Sequence, residues 1–426
     1  MKYDDLRGIL RYVPQFRGHT FVVLIDSAIL SHENLNNVLL DVALLHSLNI
    51  RVVVCFGARH QVAAAAEARA VTISSPDATG VTDYATLDLS VDVISRLTTD
   101  VLQGLTSVGL KAVATNAVTA HPAGVIRGRD LGHTGTIDRV DSVMVQSLID
   151  QGFIPVVSPL GYERQGRPLR LNSAAVAVGV ASALRAGKLL FVGTSVVENA
   201  SGERIRQLSM EEATALSGKS EDDETESSRV LLLKHAARAC EGGVQRVHFL
   251  DGRADEALLG EIFSIDGVGT MVYGDAYQSV RPARKSDIEG IIRMVQTAVA
   301  DEEIVARSRQ EMRAQIEDYF VLETDGQMIG TVSIHAWPEQ RMAEVGCLYV
   351  RKSHEGMGYG KKLVQFAEKR ALLLKMERLF ALSTQAYNYF SNRLGFAPGE
   401  LEDLPPARRE KLRKSGRNSR IMIKVL

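Results

Sequence analysis

The sequence predicts an α/β protein of two units, a large parallel α/β sandwich followed by a smaller α/β unit built around a glycine-rich loop. Three observations predict it. Short apolar runs alternate with helical patterns through the first part of the chain, the order that a parallel sheet with crossover helices requires. The 426 residues are too many for one ordinary core. In the last third of the chain Gly356, Gly358 and Gly360 stand between a strand pattern and a long helical one.

The elements follow in order. Residues Lys2 to Tyr12 form an amphipathic helical pattern that must pack somewhere. Phe21 to Ile25 reads as a buried strand, Leu35 to Leu48 as a helix and Arg51 to Phe56 as a second buried strand. The same rhythm recurs at Phe153 to Val157, Ser173 to Leu184 and Lys188 to Val192, which gives the sandwich. Ser217 to Ser228 is acidic, has nothing to bury and reads as an exposed loop. The first unit is placed at residues 1–277 and the second at 278–426. The second opens with a strand at Val280 to Ala283, and Ser286 is the expected N-cap of the next helix, with Asp287 and Glu289 in its first turn. A basic helix is expected from Arg307 to Ile316, then strands at Tyr319 to Glu323, Ile329 to His335 and Ala343 to Val350. After the glycine-rich loop come a helix from Lys361 to Leu374, a strand from Arg378 to Ser383, a short helix and a final strand from Arg420 to Val425.

Composition narrows the partners. Hydrophobic residues at 45% and charged residues at 24% are the balance of a water-soluble, core-forming chain. A formal net charge of -1 leaves no electrostatic footprint for nucleic acid or an anionic membrane. Cys55, Cys240 and Cys347 stand far apart without metal-ligand spacing. Such sparse usage fits a reducing compartment and predicts neither disulfide scaffold nor metal site. The opening MKYDDLRGILRYV lacks the apolar centre of a signal peptide, and no apolar run reaches membrane-spanning length. The expected location is the cytoplasm.

The chemistry concentrates in Val350-Arg-Lys-Ser-His-Glu-Gly-Met-Gly-Tyr-Gly360. Glycines let backbone amides approach a ligand, and the helix that follows adds unpaired N–H groups and a positive dipole end. That combination suits a pyrophosphate, although many glycine clusters are only turns.

Strand, glycine loop and helix, followed by a strand and an aromatic pair before Gly395-Phe396, resemble the GNAT acetyltransferase family. The resemblance implies acetyl-CoA as co-substrate, bound by Cys347, Leu348, Val350, Gly356, Gly358, Tyr359 and Gly360. Glu355 stands where the family has Arg or Gln, so the amides are expected to hold the pyrophosphate while Glu355 faces solvent. Segments in both halves extend the likeness. FRGHTFVV, LLHSLNIRVVVCFGARHQ, DGVGTMV, EVGCLYV, FALST and GRNSRI occur in this order and resemble the bacterial N-acetylglutamate synthase family. It joins an amino-acid-kinase-like parallel α/β sandwich to a GNAT α/β acetyltransferase domain.

The resemblance implies acetyl transfer to the α-amine of L-glutamate, the first step of arginine biosynthesis. Such a transfer needs a base for the amine, polarisation of the thioester carbonyl and a proton for the leaving thiolate. Glu344, among Val345, Cys347 and Leu348, matches the proposed base, its proton affinity raised by desolvation; a salt-bridge partner at a strand end is the alternative reading. The Cys347 backbone N–H is matched to the thioester oxygen. Ser383 matches the proposed acid and Tyr389 is its rival. Arg307, Arg417 and Ser419 match the positions that hold the substrate carboxylates, since arginine binds a carboxylate bidentately; any one of these arginines could equally be solvated surface.

The first unit is not expected to be a kinase. Leu24-Ile25-Asp26-Ser27 and Leu171-Asn172-Ser173-Ala174 lack the lysine, glycine pair and aspartate that the kinases use, and phosphoryl transfer depends on such positioning and charge neutralisation. The resemblance implies instead an arginine-feedback domain, with L-arginine near Glu261, Gly267 and Gly269, and a homo-oligomer, a hexameric ring. Two other readings stay open from the residues alone: a GNAT enzyme for a different amine, and an arginine sensor without catalysis.

Overall fold

The run Thr20–Ile25 is apolar on both sides of its backbone because it becomes the centre of a sheet covered on both faces. In the computed structural model this strand, β1, pairs in parallel with β2 (Arg51–Phe56) on one side and β5 (Lys188–Gly193) on the other. The structure describes residues 14, 16–194, 196–199, 201–218, 228–263, 267–274, 278–300, 304–324, 327–355, 358–384, 386–415 and 419–426. The expected helix at Lys2 to Tyr12, most of the acidic loop, Gly356 and Arg417 lie outside them. The chain divides into two units, Met1–Asp275 and Ala276–Leu426.

In the first unit the main sheet is built from β1, β2, β3 (Ala112–Thr115), β4 (Ile154–Val157), β5, β6 (Gln207–Ser209), β7 (Arg246–Asp251) and β8 (Thr270–Tyr273), beside a smaller four-stranded sheet and a two-stranded one. The main sheet has the order β6-β8-β7-β5-β1-β2-β4-β3. Every pairing within it is parallel except β7 with β8. Val22, Leu24, Val53 and Cys55 enter one core, which α3 (Ser173–Ala183) joins after α1 (Leu35–Ser47) and α2 (Tyr84–Ser107) cover the other face. Phe21, Val23, Ile25, Val52 and Val54 enter that second core. Alternation between two apolar layers is what the unbroken apolar runs encode. The helix Met210–Ser217, closed by Gly218, takes the start of the expected loop, and α4 (Ser228–Glu241) takes its last residue. Helix α5 (Ala257–Phe263) precedes β8.

The second unit is a seven-stranded sheet of β9 (Gln278–Pro282), β10 (Tyr319–Thr324), β11 (Gln327–Trp337), β12 (Met342–Val350), β13 (Arg378–Ser383), β14 (Ala397–Gly399) and β15 (Arg420–Val425). Its order is β9-β10-β11-β12-β13-β15-β14. One face buries Phe320, Val332, Ile334, Ala343, Val345, Leu379 and Ala381 with residues of the long helix after the glycine loop. On the opposite face the register sets Tyr319 beside Ser333, and His335 beside Glu344, which is beside Phe380.

Two local expectations are corrected. Ser286 is not an N-cap: it lies inside a 3₁₀ turn, Lys285–Asp287, which leads into α6 (Ile288–Ala300), and the Asp287 carboxylate accepts the Arg284 backbone N–H at 2.7 Å. Arg307 is not helical. Helix α7 spans Arg309–Ala314, because Ser308 and Glu311 form a reciprocal capping box that fixes its start two residues after Arg307. No helix among the described residues is long and apolar enough to cross a membrane.

Candidate active site

The second unit carries a seam. Strands β12 and β13 pair in parallel only from Met342↔Arg378 to Val345↔Ala381. Beyond that, β12 follows β11 while β13 follows β15. The cause sits in β12: Tyr349 pairs with Thr331 and Gly346 with Ser333, so Cys347 and Leu348 together oppose Val332. This is a β-bulge, which bends its strand and leaves the extra residue out of the ladder. Cys347 takes φ +47°, left-handed and unusual for a side chain. Its thiol is buried against Tyr319 and Val321, and burial raises it to about 11, so it packs as a small apolar group. Leu348 and Val350 are half-buried at the edge of the core under the long helix.

Glu344 lies just before the bulge, 7% exposed. Arg408 holds it in a fork, Nε donating to Oε2 at 2.6 Å and Nη2 to Oε1 at 2.8 Å. Arg408 belongs to α10 (Pro406–Ser415); the two helices between α7 and α10 are α8 (Tyr359–Leu373) and α9 (Tyr387–Leu394). The sequence reading missed this partner, which lies in a cation-rich run where no spacing singles it out. The ion pair itself is the alternative that the sequence left open for Glu344.

Arg307 reaches the same face from the segment before α7. Its Nη1 donates to the Tyr319 hydroxyl, to His335 Nε2 at 3.2 Å and, more weakly, to Ser333 Oγ at 3.4 Å. The Tyr319 ring lies 5.4 Å from the guanidinium carbon. A Cβ on Gly346 would stand 3.1 Å from Nη2 and 2.9 Å from Ser333 Oγ, so the glycine is what admits the guanidinium. Among the described residues, no carboxylate forms an ion pair with Arg307.

The glycine-rich loop ends at Gly358, φ +79°, the N-cap of α8. Gly358 has no side chain to cap that helix, and its carbonyl accepts the Lys362 N–H at 3.1 Å, which closes the first helical turn. Tyr359 is buried, Glu355 is exposed, and a Cβ on Gly360 would collide with the Tyr389 hydroxyl. Tyr389 thus comes from α9 onto the start of α8. Burial raises its phenol, with Arg393 opposing. Ser383 ends β13, and its Oγ accepts the Ala386 N–H at 2.9 Å. Ser383 pairs with Arg420 across the sheet, which brings half-buried Ser419 to the same end of the seam.

In the first unit Glu261 is 8% exposed on α5. One carboxylate oxygen meets His248 Nδ1 at 2.6 Å; the other accepts the N–H groups of Val268 and Gly269, each at 2.7 Å. His248 Nε2 lies 3.2 Å from Lys188 Nζ, which stands over the Phe16 ring. Burial raises the Glu261 carboxyl, but His248 and the two amides outweigh it and hold it near about 2. The Gly267 carbonyl accepts from Arg204 at 3.2 Å. Lys188 and His248 were not singled out from the sequence; a cation opening an otherwise apolar strand was the available signal. At the carboxyl end of β1, Asp26 caps the following turn by accepting the Ala28 N–H at 2.8 Å, and Ala174 is buried.

Known proteins share this construction. Residues 19–251 match the amino acid kinase family and residues 291–396 the acetyltransferase (GNAT) family. The chain is 34% identical to an amino-acid acetyltransferase of Pseudomonas putida strain GB-1, over 99% of this chain and 98% of that protein. It is 32% identical to one from Ralstonia nicotianae, over 99% and 95%. Among solved structures it resembles N-acetylglutamate synthase from Neisseria gonorrhoeae, over 100% of both chains. The complex with coenzyme A and L-arginine gives a TM-score of 0.83 at 30% identity, and that with coenzyme A and N-acetyl-glutamate 0.65 at 31%. On this likeness along its whole length, the chain belongs to the amino-acid acetyltransferase family, an amino acid kinase unit joined to a GNAT unit.

Proposed function

We propose that the protein transfers the acetyl group of acetyl-CoA to the α-amine of L-glutamate, giving N-acetyl-L-glutamate and CoA. The observation that carries this reading is one sheet face on which a buried carboxylate, Glu344, stands beside an arginine, Arg307, that forms no ion pair with a carboxylate among the described residues. An acceptor with an amine and two carboxylates matches that pairing, whereas a polyamine would meet a cation.

Acetyl-CoA enters the seam between β12 and β13. The amides at the start of α8, with Gly356, Gly358, Tyr359 and Gly360, take its pyrophosphate, and Leu348 and Val350 flank the pantetheine arm. The Cys347 N–H, displaced from the ladder by the bulge, is assigned to the thioester oxygen. Arg307, Arg417 and Ser419 hold the carboxylates of glutamate. Its amine then attacks the carbonyl carbon, the C–S bond breaks, Glu344 takes the amine proton directly or through one water, and the thiolate is protonated. Each Glu344 oxygen spends one lone pair on the Arg408 fork and keeps another for that proton.

Two hydroxyls compete to protonate the thiolate. Ser383→Ala and Tyr389→Phe separate them: the true donor loses about tenfold to a hundredfold in kcat with its substrate KM values little changed, while the other variant stays near wild type. Steady-state rates with both substrates varied decide it.

We assign Glu261, Gly267 and Gly269, with Lys188 and His248 as neighbours, to an L-arginine effector site. The first unit is read as regulatory and without kinase activity, since Asp26 and Ala174 offer no lysine or catalytic carboxylate. We also read the protein as a cytoplasmic homo-oligomer; three buried free thiols suit a reducing compartment.

The test is release of CoA thiol from acetyl-CoA with L-glutamate or spermidine as acceptor. Turnover with glutamate and none with spermidine is the expected result; the reverse overturns the acceptor. The Glu344–Arg408 fork favours one second reading, an arginine sensor without catalysis, and that reading requires no turnover with either amine while arginine still binds.

A further inference from the structure

Arginine has no hydrogen-bond acceptor, and that fixes the state of a neighbour. His335 Nε2 lies 3.2 Å from Arg307 Nη1, so this nitrogen must be the acceptor. Its ring proton therefore sits on Nδ1, which donates to Asp318 Oδ2 at 2.7 Å. The tautomer is determined from both ends, by a donor that cannot accept and by a carboxylate that accepts. Tyr319 and Ser333 add two neutral acceptors to the same Nη1. Three neutral groups thus hold one corner of the guanidinium, while Nη2 lies over Gly346 beside the Glu344 face.

The choice of a neutral holder has a consequence. A carboxylate in place of His335 would form an ion pair with Arg307 and compete with any substrate carboxylate for it. An imidazole orients the cation without itself neutralising its charge. Asp318 acts one group further out, where it fixes the imidazole without reaching the arginine. His335 is also the cross-strand partner of Glu344, so the side chain that holds the cation stems from the position directly opposite the carboxylate.

We propose that His335, its tautomer fixed by Asp318, is a positioning residue that aims Arg307 at an acceptor carboxylate. This rests on the reading of Arg307 as a glutamate-binding residue and adds what makes that arginine specific.

The experiment uses the full chain with acetyl-CoA saturating and L-glutamate varied. His335→Ala is expected to raise the KM for glutamate about tenfold, the loss of one charge-assisted hydrogen bond, with the KM for acetyl-CoA unmoved. His335→Gln, whose amide oxygen can still accept from Nη1, should regain most of the loss. Asp318→Ala, a change at a half-exposed side chain that spares the core, should raise the same KM severalfold. An unchanged glutamate KM in His335→Ala, an equal rise for acetyl-CoA, or no recovery in His335→Gln overturns the proposal. Should His335→Ala fail to fold, an Asp318→Ala enzyme with wild-type glutamate KM overturns it alone. Arg307→Lys separates the two levels: if it too leaves the glutamate KM unchanged, the underlying assignment of Arg307 is wrong, whatever His335 does.

Discussion

Glu344→Gln is expected to lower kcat by about a hundredfold or more at neutral pH, the usual contribution of a positioned general base. Glutamine keeps the shape and can still accept from Arg408, so the substitution removes basicity while disturbing the fork least. Alanine would be a poorer probe. It would leave the Arg408 guanidinium, whose side chain is only 17% exposed, facing a cavity without its partner, and removing one member of a largely buried pair is itself destabilising. The KM for acetyl-CoA should not move, because Glu344 precedes the bulge and the glycine loop. Rates of CoA release at saturating substrates decide the matter. A Glu344→Gln enzyme within about threefold of wild type in kcat would leave Glu344 as the ion-pair partner of Arg408 and no more.

The second large effect is on stability in acid. Burial, then the Lys188 charge, push His248 down to about 4 from 6.5. Burial, then Arg238, do the same to His235, whose Nε2 is buried without a hydrogen-bond partner among the described residues. Both groups are therefore held neutral in the fold. Between pH 6.5 and about 4 the unfolded chain takes up these protons and the folded chain does not. Stability is thus fully present above 6.5 and is lost as pH falls through that window. Each shift corresponds to on the order of 3 kcal/mol at the acid end. Glu261 extends the loss: its carboxyl is held down to about 2 from 4.5, so its contribution persists above 4.5 and disappears as pH falls further. Asp41 opposes them, since burial raises it to about 6 from 3.8 and its contribution declines as pH rises through that range. Three groups outweigh one. Thermal melting of the full chain should show Tm falling steadily below pH 6.5, with a shallower fall in His235→Phe. A Tm level from neutrality to about pH 4 would refute the assignment of these histidines as buried neutral groups.

Much of this architecture can be read in the residues. Arg420–Val425 is bounded in the structure where the sequence sets it, and β1, β2 and β5 are apolar throughout because both faces of their sheet are covered. Local hydrogen bonding beat periodicity elsewhere. Arg307 fits a basic helical pattern, but the Ser308–Glu311 box starts the helix after it. Within the site, Glu344 and the glycines are legible because they stand beside each other along the chain. Arg408 is not, because it lies 64 positions from Glu344 and Arg409, Lys411 and Arg413 follow it closely. His335 is visible as a strand residue and invisible as a site residue, since its importance comes from the register that sets it opposite Glu344. Lys188 and His248 belong to different strands, and only the parallel pairing of β5 with β7 makes them neighbours.

The handedness of one residue, Cys347, sets the length of the slot between β12 and β13. Pairing closes like a zipper from Met342 and halts at Val345, because the bulge turns the remainder of β12 aside. Residues before the bulge keep the faces that the register sets, Glu344 opposite His335 among them, whereas those after it change parity, so one extra residue both opens the slot and lets a single strand present the carboxylate and one wall of that slot.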